Sequence, residues 1–142
     1  MYDTDIVAWA QEQARLLRER RFDLVDVDNV AEEIETLGRA ERKALRSAVR
    51  EMLSLMTKVA YSPDPRASWV VLLVGQRTEI KNILRDSPCL RAELGSLFGA
   101  EWSDAREIAI AELAVRGEQP DVPVRCPYAV DSALTDSEND AQ

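Results

Sequence analysis

From Ile6 to Ala109 the apolar residues recur at three- and four-residue intervals, a period that aligns them on one side of an α-helix and scatters them on a strand. In the first segment Ile6, Trp9, Ala10, Gln13, Leu16 and Leu17 share a face, Asp3 or Thr4 can cap it, and the spacing predicts an end near Arg20. A short helix is expected from Asp26 or Asp28, with Val30, Ile34 and Leu37 turned to the core and Gly38 as a left-handed stop. A longer one, over residues 39–61, carries Leu45, Ala48, Val49, Met52, Leu53, Met56, Val59 and Ala60 in register.

Prolines set the remaining boundaries. The run Ser62-Pro63-Asp64-Pro65 must break the helix before it, because each proline removes a donor and biases its predecessor away from helix. The six apolar residues from Trp69 to Val74 fit a buried strand by composition, but their continuation to Ile80, Ile83 and Leu84 at helical spacing predicts a helix over 67–85. Ser87 and Pro88 then supply a cap and a first-turn proline for a last long helix with Leu90, Leu94, Leu97, Phe98, Ala105, Ile108 and Ala109 on one face. Gly95 and Gly99 weaken it. After Gly117 the prolines at 120, 123 and 127 punctuate an extended strap with at most one turn near Val130 to Leu134, and residues 137–142 read as an acidic tail. The expected architecture is a single all-α domain over residues 1–136: about five helices in an antiparallel bundle with an extended proline-rich C-terminal segment.

The composition narrows the chemistry. The 142 residues include no histidine, which removes Ser-His-Asp and Cys-His pairs and Glu-x-x-His metal helices from consideration. Eighteen Lys and Arg against twenty-six Asp and Glu give a net charge of -8, which opposes approach to nucleic acid or to an anionic membrane. The first ten residues hold Asp3 and Asp5 in place of a basic leader, and no apolar run reaches the length of a membrane span, so a cytoplasmic protein is expected. Cys89 and Cys126 read as two free thiols of a reducing compartment. No cofactor and no metal are expected.

Several constellations bear on chemistry. Glu32-Glu33-x-Glu35 with Glu101-x-x-Asp104 offers hard oxygens to Mg²⁺, but with Val30, Ile34 and Leu37 inward, Glu32 and Glu35 point outward and a solvated face is the simpler account. Arg39, Lys43, Arg46 and Arg50 form a stripe that pairs more simply with neighbouring carboxylates than with phosphate. Cys89 follows Pro88 at a helix start, where the dipole favours a thiolate, but a passive thiol is the favoured reading because no general base accompanies it. Glu101 and Glu112 fall on the apolar side of the last long helix and need partners, for which Arg77 and Tyr128 are the candidates. Glu112, Arg77 and Tyr128 are therefore the candidate binding residues. Val70, Val71 and Val74 lie opposite the face formed by Trp69, Leu72, Leu73, Gln76, Ile80, Ile83 and Leu84. They need a cover of their own, either the strap through Val122, Val124 and Tyr128 or a second copy in an isologous dimer, with the dimer slightly favoured.

The ordered motifs Gln13-Ala14-x-Leu16-Leu17-Arg18, Asp26-x-Asp28-Asn29-Val30-Ala31-Glu32-Glu33-Ile34-Glu35-x-Leu37-Gly38, Ser68-Trp69, Gln76-Arg77, Asp86-Ser87-Pro88-x-Leu90-Arg91, Ala105-Arg106 with Glu112, and Cys126-Pro127-Tyr128 carry a resemblance. With Tyr2 and Trp9 they make the chain similar, over residues 2–134, to the bacterial family known as domain of unknown function 29. The resemblance implies an all-helical bacterial protein and transfers no catalytic residue. The chain departs from that family at Leu55, where a histidine is frequent, and at Ser137-Glu138-Asn139, where an aromatic-proline motif is frequent. The function expected is a non-catalytic interaction or self-associating structural module, a homo-oligomer with a further protein partner. The alternative is a carboxylate-based Mg²⁺ enzyme acting on a nucleotide or phosphoester.

Overall fold

The computed structural model describes residues 1–135, and the acidic tail expected over 137–142 lies outside them. The described residues form five α-helices, α1 (Ile6–Arg18), α2 (Val27–Tyr61), α3 (Ala67–Asp86), α4 (Leu94–Val115) and α5 (Val130–Thr135), with 3-10 turns at Phe22–Leu24 and Pro88–Glu93 and no strand. The all-α expectation holds, and breaks occur at 22–27, at 62–66 and after Asp86; Ser87 makes no side-chain cap, however, and Pro88 opens a 3-10 turn, so the last long helix starts at Leu94. By its contacts the chain divides into two compact units, Met1–Ala40 and Glu41–Gln142.

The expected stop at Gly38 is absent, since α2 runs through it for 35 residues. A glycine inside a helix costs about 1 kcal/mol relative to alanine, too little to outweigh continuous hydrogen bonding on both sides. Positive φ occurs instead at Arg20 (φ 59) and Gly117 (φ 79). Each follows a helix end: Arg21 N–H returns to Leu16 O and Arg20 N–H to Leu17 O after α1, and Glu118 N–H to Leu113 O and Gly117 N–H to Ala114 O after α4. These paired bonds satisfy the last carbonyls of both helices, and a residue in the left-handed region makes them geometrically accessible.

The first unit is a helical hairpin held largely by polar contacts. Asp5 caps α1 by accepting from Ala8 N–H, and Trp9, Gln13 and Leu16 are its buried residues. Trp9 Nε1 donates to Asp26 at 3.1 Å, Asp26 N–H donates to Gln13 Oε1 at 2.7 Å, and the Tyr2 hydroxyl donates to Glu33 at 2.7 Å. Against expectation, Ile34 and Leu37 are 64% and 70% exposed, so the stripe on the first turns of α2 does not face a core among the described residues.

The second unit holds the hydrophobic core, built from Leu45 to Leu55 of α2, Trp69 to Leu84 of α3, Leu94 to Leu113 of α4, and Val122, Ala133 and Leu134 beyond. Four consecutive residues of α2, Met52, Leu53, Ser54 and Leu55, are fully buried, as a helix enclosed on all sides requires. The segment after Gly117 lies on α4: Trp102 Nε1 donates to Val124 O at 2.9 Å and the Arg106 guanidinium to Val122 O and Pro123 O, while Trp102 and Tyr128 meet edge to face with centroids 5.9 Å apart.

Candidate functional site

The last turns of α2, the turn after it and the end of α4 converge on Trp69. Lys58 Nζ stands 5.2 Å and the Arg116 guanidinium carbon 4.7 Å from the indole centroid, so two cations share one aromatic ring. Lys58 also donates to Glu112. Its side chain is only 6% exposed, against 51% for Glu112, and the pair therefore carries an ammonium into the protein behind a carboxylate that stays wet. Arg116 donates to Ser62 Oγ at 3.2 Å and to Asp64 O at 2.6 Å, and Ser62 Oγ donates to Glu118 at 3.1 Å. Each cation of the cluster has a carboxylate beside it. The arrangement ties the α2–α3 turn to the end of α4.

The sequence-derived site residues fall in different contacts. Glu112 pairs with Lys58, and not with Arg77 or Tyr128, because its position near the end of α4 is level with the last turns of α2. Arg77 is buried and donates to Ala133 O at 2.6 Å, holding α5, and Tyr128 packs on Trp102. Lys58, Arg116 and Glu118 carry no signal in the sequence. Lys58 sits within the apolar stripe of α2, a position that burial makes informative only once α4 is known to supply its carboxylate.

Arginines engage carboxylates of the two acidic motifs. Arg39 lies 3.7 Å from Glu32 and 3.6 Å from Glu35 on the exposed side of the same helix. Glu101 is buried and faces Arg46 at 3.8 Å and Arg50 at 3.7 Å. Among the described residues no three Cys, Asp or Glu side chains are grouped so as to hold a metal ion. The arginine stripe is thus used in part by carboxylates, as expected. Cys89 is exposed on the 3-10 turn, and burial pushes the Cys126 thiol above its usual range, with a partly compensating bond to Tyr128 O.

Two apolar surfaces remain. On α3, Val71 is 71% exposed and Leu72 and Val74 are each 52% exposed, with Val70 half-buried beside them. The exposure of Leu72 departs from its expected place on the inner face. Arg77 takes an inner place instead, because Ala133 O gives its guanidinium a partner there. Val122 is buried, but the strap that carries it lies on α4, and Val124 is exposed, so the strap does not cover the α3 patch among the described residues. Leu134 and Thr135 come to its edge, where a shallow depression is shared with Val74 and Thr78. The second surface is in the first unit: an open groove of about 460 Å³ between Ala10, Ala14 and Leu17 on one side and Val30, Ile34 and Leu37 on the other, with Trp9, Gln13 and Glu33 also lining it. No helix of the described residues is long and apolar enough to cross a membrane.

A family model described as "Domain of unknown function DUF29" matches residues 1–137, and the chain belongs to that family. No curated protein and no solved structure matches it.

Proposed function

We propose that this DUF29 protein is a non-catalytic, cytoplasmic interaction module that self-associates through the outer face of α3, with Val70, Val71 and Val74 at the contact. The supporting observation is a local one. Between Ala67 and Thr78 the only charged side chain is Arg77, which is buried, while three large aliphatic side chains on that stretch stand exposed. A solvated helix face of three turns ordinarily carries charge, and an uncharged aliphatic face is what a partner surface looks like before it is covered. An isologous pair would let each patch cover its copy, since the same residues are apolar on both sides.

The test is disulfide trapping with Cys89 and Cys126 replaced by serine and a single cysteine placed in turn at Val71, Leu72 and Val74. A dyad through the patch brings at least one of these positions next to its own copy, and a cross-linked dimer is expected there. Absence of cross-linking at all three, with the variants folded, would overturn the assignment.

A further inference from the structure

The N-terminal hairpin presents a seam that its own fold does not use. On α1 the residues Val7, Ala10, Ala14 and Leu17, and on α2 the residues Val27, Val30, Ile34 and Leu37, are spaced three, four and three apart, the repeat of a helix-packing face. Ala14 and Val30 are half-covered and the other six are exposed. The buried side of α1 is a different one, Trp9, Gln13 and Leu16, and the hairpin is fastened through Asp26 and Glu33. Two helices alone cannot enclose such a seam, and Ala10, Ala14 and Leu17 with Val30, Ile34 and Leu37 line an open groove of about 460 Å³.

Charge selects the occupant. Residues 1–40 carry ten Asp and Glu against five Arg. Arg15 is held between Glu12 and Glu19, at 2.6 Å from each. The excess is uneven along the groove. The Tyr2–Glu33 bond places the start of α1 beside the second turn of α2, so Asp3 and Asp5 share one end with Glu32, Glu33 and Glu35. Only Arg39 among the arginines of the hairpin lies beside the α2 acids at that end. The opposite end has Arg18, Arg20 and Arg21 among its acids. The Tyr2 hydroxyl is pushed up to about 12, first by its bond to Glu33, next by desolvation, and then by the charges of Glu33, Glu32 and Asp3. A second copy stacked here would bring the same excess of negative charge to the seam, and an anionic surface would be repelled.

We infer that the groove of the N-terminal hairpin receives an amphipathic helix of a partner protein, with aliphatic anchors at three- and four-residue spacing and basic residues at the end lying over Glu32, Glu33 and Glu35. The groove spans about ten residues of each helix, roughly 15 Å at 1.5 Å per residue, which three turns of partner helix would fill. This rests on the reading of the chain as an interaction module but uses a surface separate from the α3 patch.

The experiment uses the full chain and two fluorescently labelled, designed 14-residue helical peptides, both with leucine on the seam, one with lysine and one with glutamate at the flanks. Anisotropy should show the lysine peptide binding the wild type at least tenfold more tightly than the glutamate peptide, and weakening as salt is raised. Ile34→Lys should lose this binding at least tenfold, whereas Ile34→Val and Val71→Lys should keep it; circular dichroism confirms that each variant is folded. Equal binding of the two peptides, no binding of either, or retention by a folded Ile34→Lys would overturn the inference. So would a halved solution mass in Ile34→Lys, which would identify a second copy as the occupant. The peptide-binding results leave the α3 cross-linking outcome unaltered, so the two readings fail separately; a halved mass in Ile34→Lys together with no cross-linking at α3 would overturn both.

Discussion

Removing the Glu112 carboxylate should destabilise the protein by stranding Lys58. The ammonium is almost fully buried, and its hydrogen-bonded anion is Glu112. Breaking a buried ion pair from one side costs about 3–5 kcal/mol when the remaining charge stays dry. Glu112 is half in water, so its loss opens a route for solvent to reach the ammonium, and the Trp69 ring still faces the cation at 5.2 Å. Both effects reduce the cost, to about 2 kcal/mol for Glu112→Ala. At about 4 °C per kcal/mol this is a fall in Tm of roughly 8 °C. Lys58→Met replaces the ammonium with an apolar chain of similar length, and in that background Glu112→Ala should cost no more than about 0.5 kcal/mol, the range of an ordinary surface change. Thermal and urea melts of the four proteins give the cycle. A cost for Glu112→Ala that is unchanged by Lys58→Met, or no cost in either background, would refute the argument that the buried ammonium carries the effect.

Other expectations follow from single features. Arg20→Gly should raise stability by about 1 kcal/mol, since Arg20 occupies a left-handed position that costs a side-chain-bearing residue about 1–2 kcal/mol; an unchanged melt would show that the arginine side chain compensates. Gly117→Ala should lose about 1 kcal/mol for the same reason, with no clash to add because nothing lies within 4 Å of the place the new methyl group would take; thermal melts of the pair check both signs. The hairpin should weaken at both pH extremes. Asp26 is held below its usual range first by its bond from Asn29 and also by Trp9, so its contribution is present above the ordinary carboxylate value near 4 and fades as pH falls through the depressed one. Tyr2, raised to about 12, contributes fully below pH 10 and loses that contribution between about 10 and 12. Amide exchange across residues 6–37 against pH checks both signs, and Tyr2→Phe should remove the alkaline loss.

Much of the fold is readable in the sequence because helical spacing and proline breaks are local. The expected helix over 67–85 is α3, Ala67–Asp86, and Gly117 ends α4 through the backbone bonds that a glycine favours there. What fails is the step from stripe to core. Val30, Ile34 and Leu37 have the same spacing as Leu45, Val49 and Met52, and the sequence cannot say that Ile34 and Leu37 are exposed while the second set is buried, because the difference lies in which neighbour arrives. Leu72 is exposed and Arg77 buried for a similar reason: a hydrogen-bond acceptor at Ala133, 56 residues away, makes the arginine acceptable inside. Glu112 is recognisable as a carboxylate in need of a partner, and the choice between Arg77, Tyr128 and Lys58 depends on the pairing of α4 with α2, which spacing along one helix does not contain.

The central claim, self-association through α3, is tested most directly by the solution mass of the full chain. Sedimentation equilibrium across a wide concentration range should show the wild type at twice the chain mass of 16.0 kDa. Val71→Lys should sediment as a folded monomer whose Tm no longer rises with protein concentration, since the side chain it replaces is mostly exposed in the single chain and only the contact with the second copy is lost. A wild type that stays at the mass of one chain at every concentration, or a Val71→Lys protein that remains a dimer, would contradict the account.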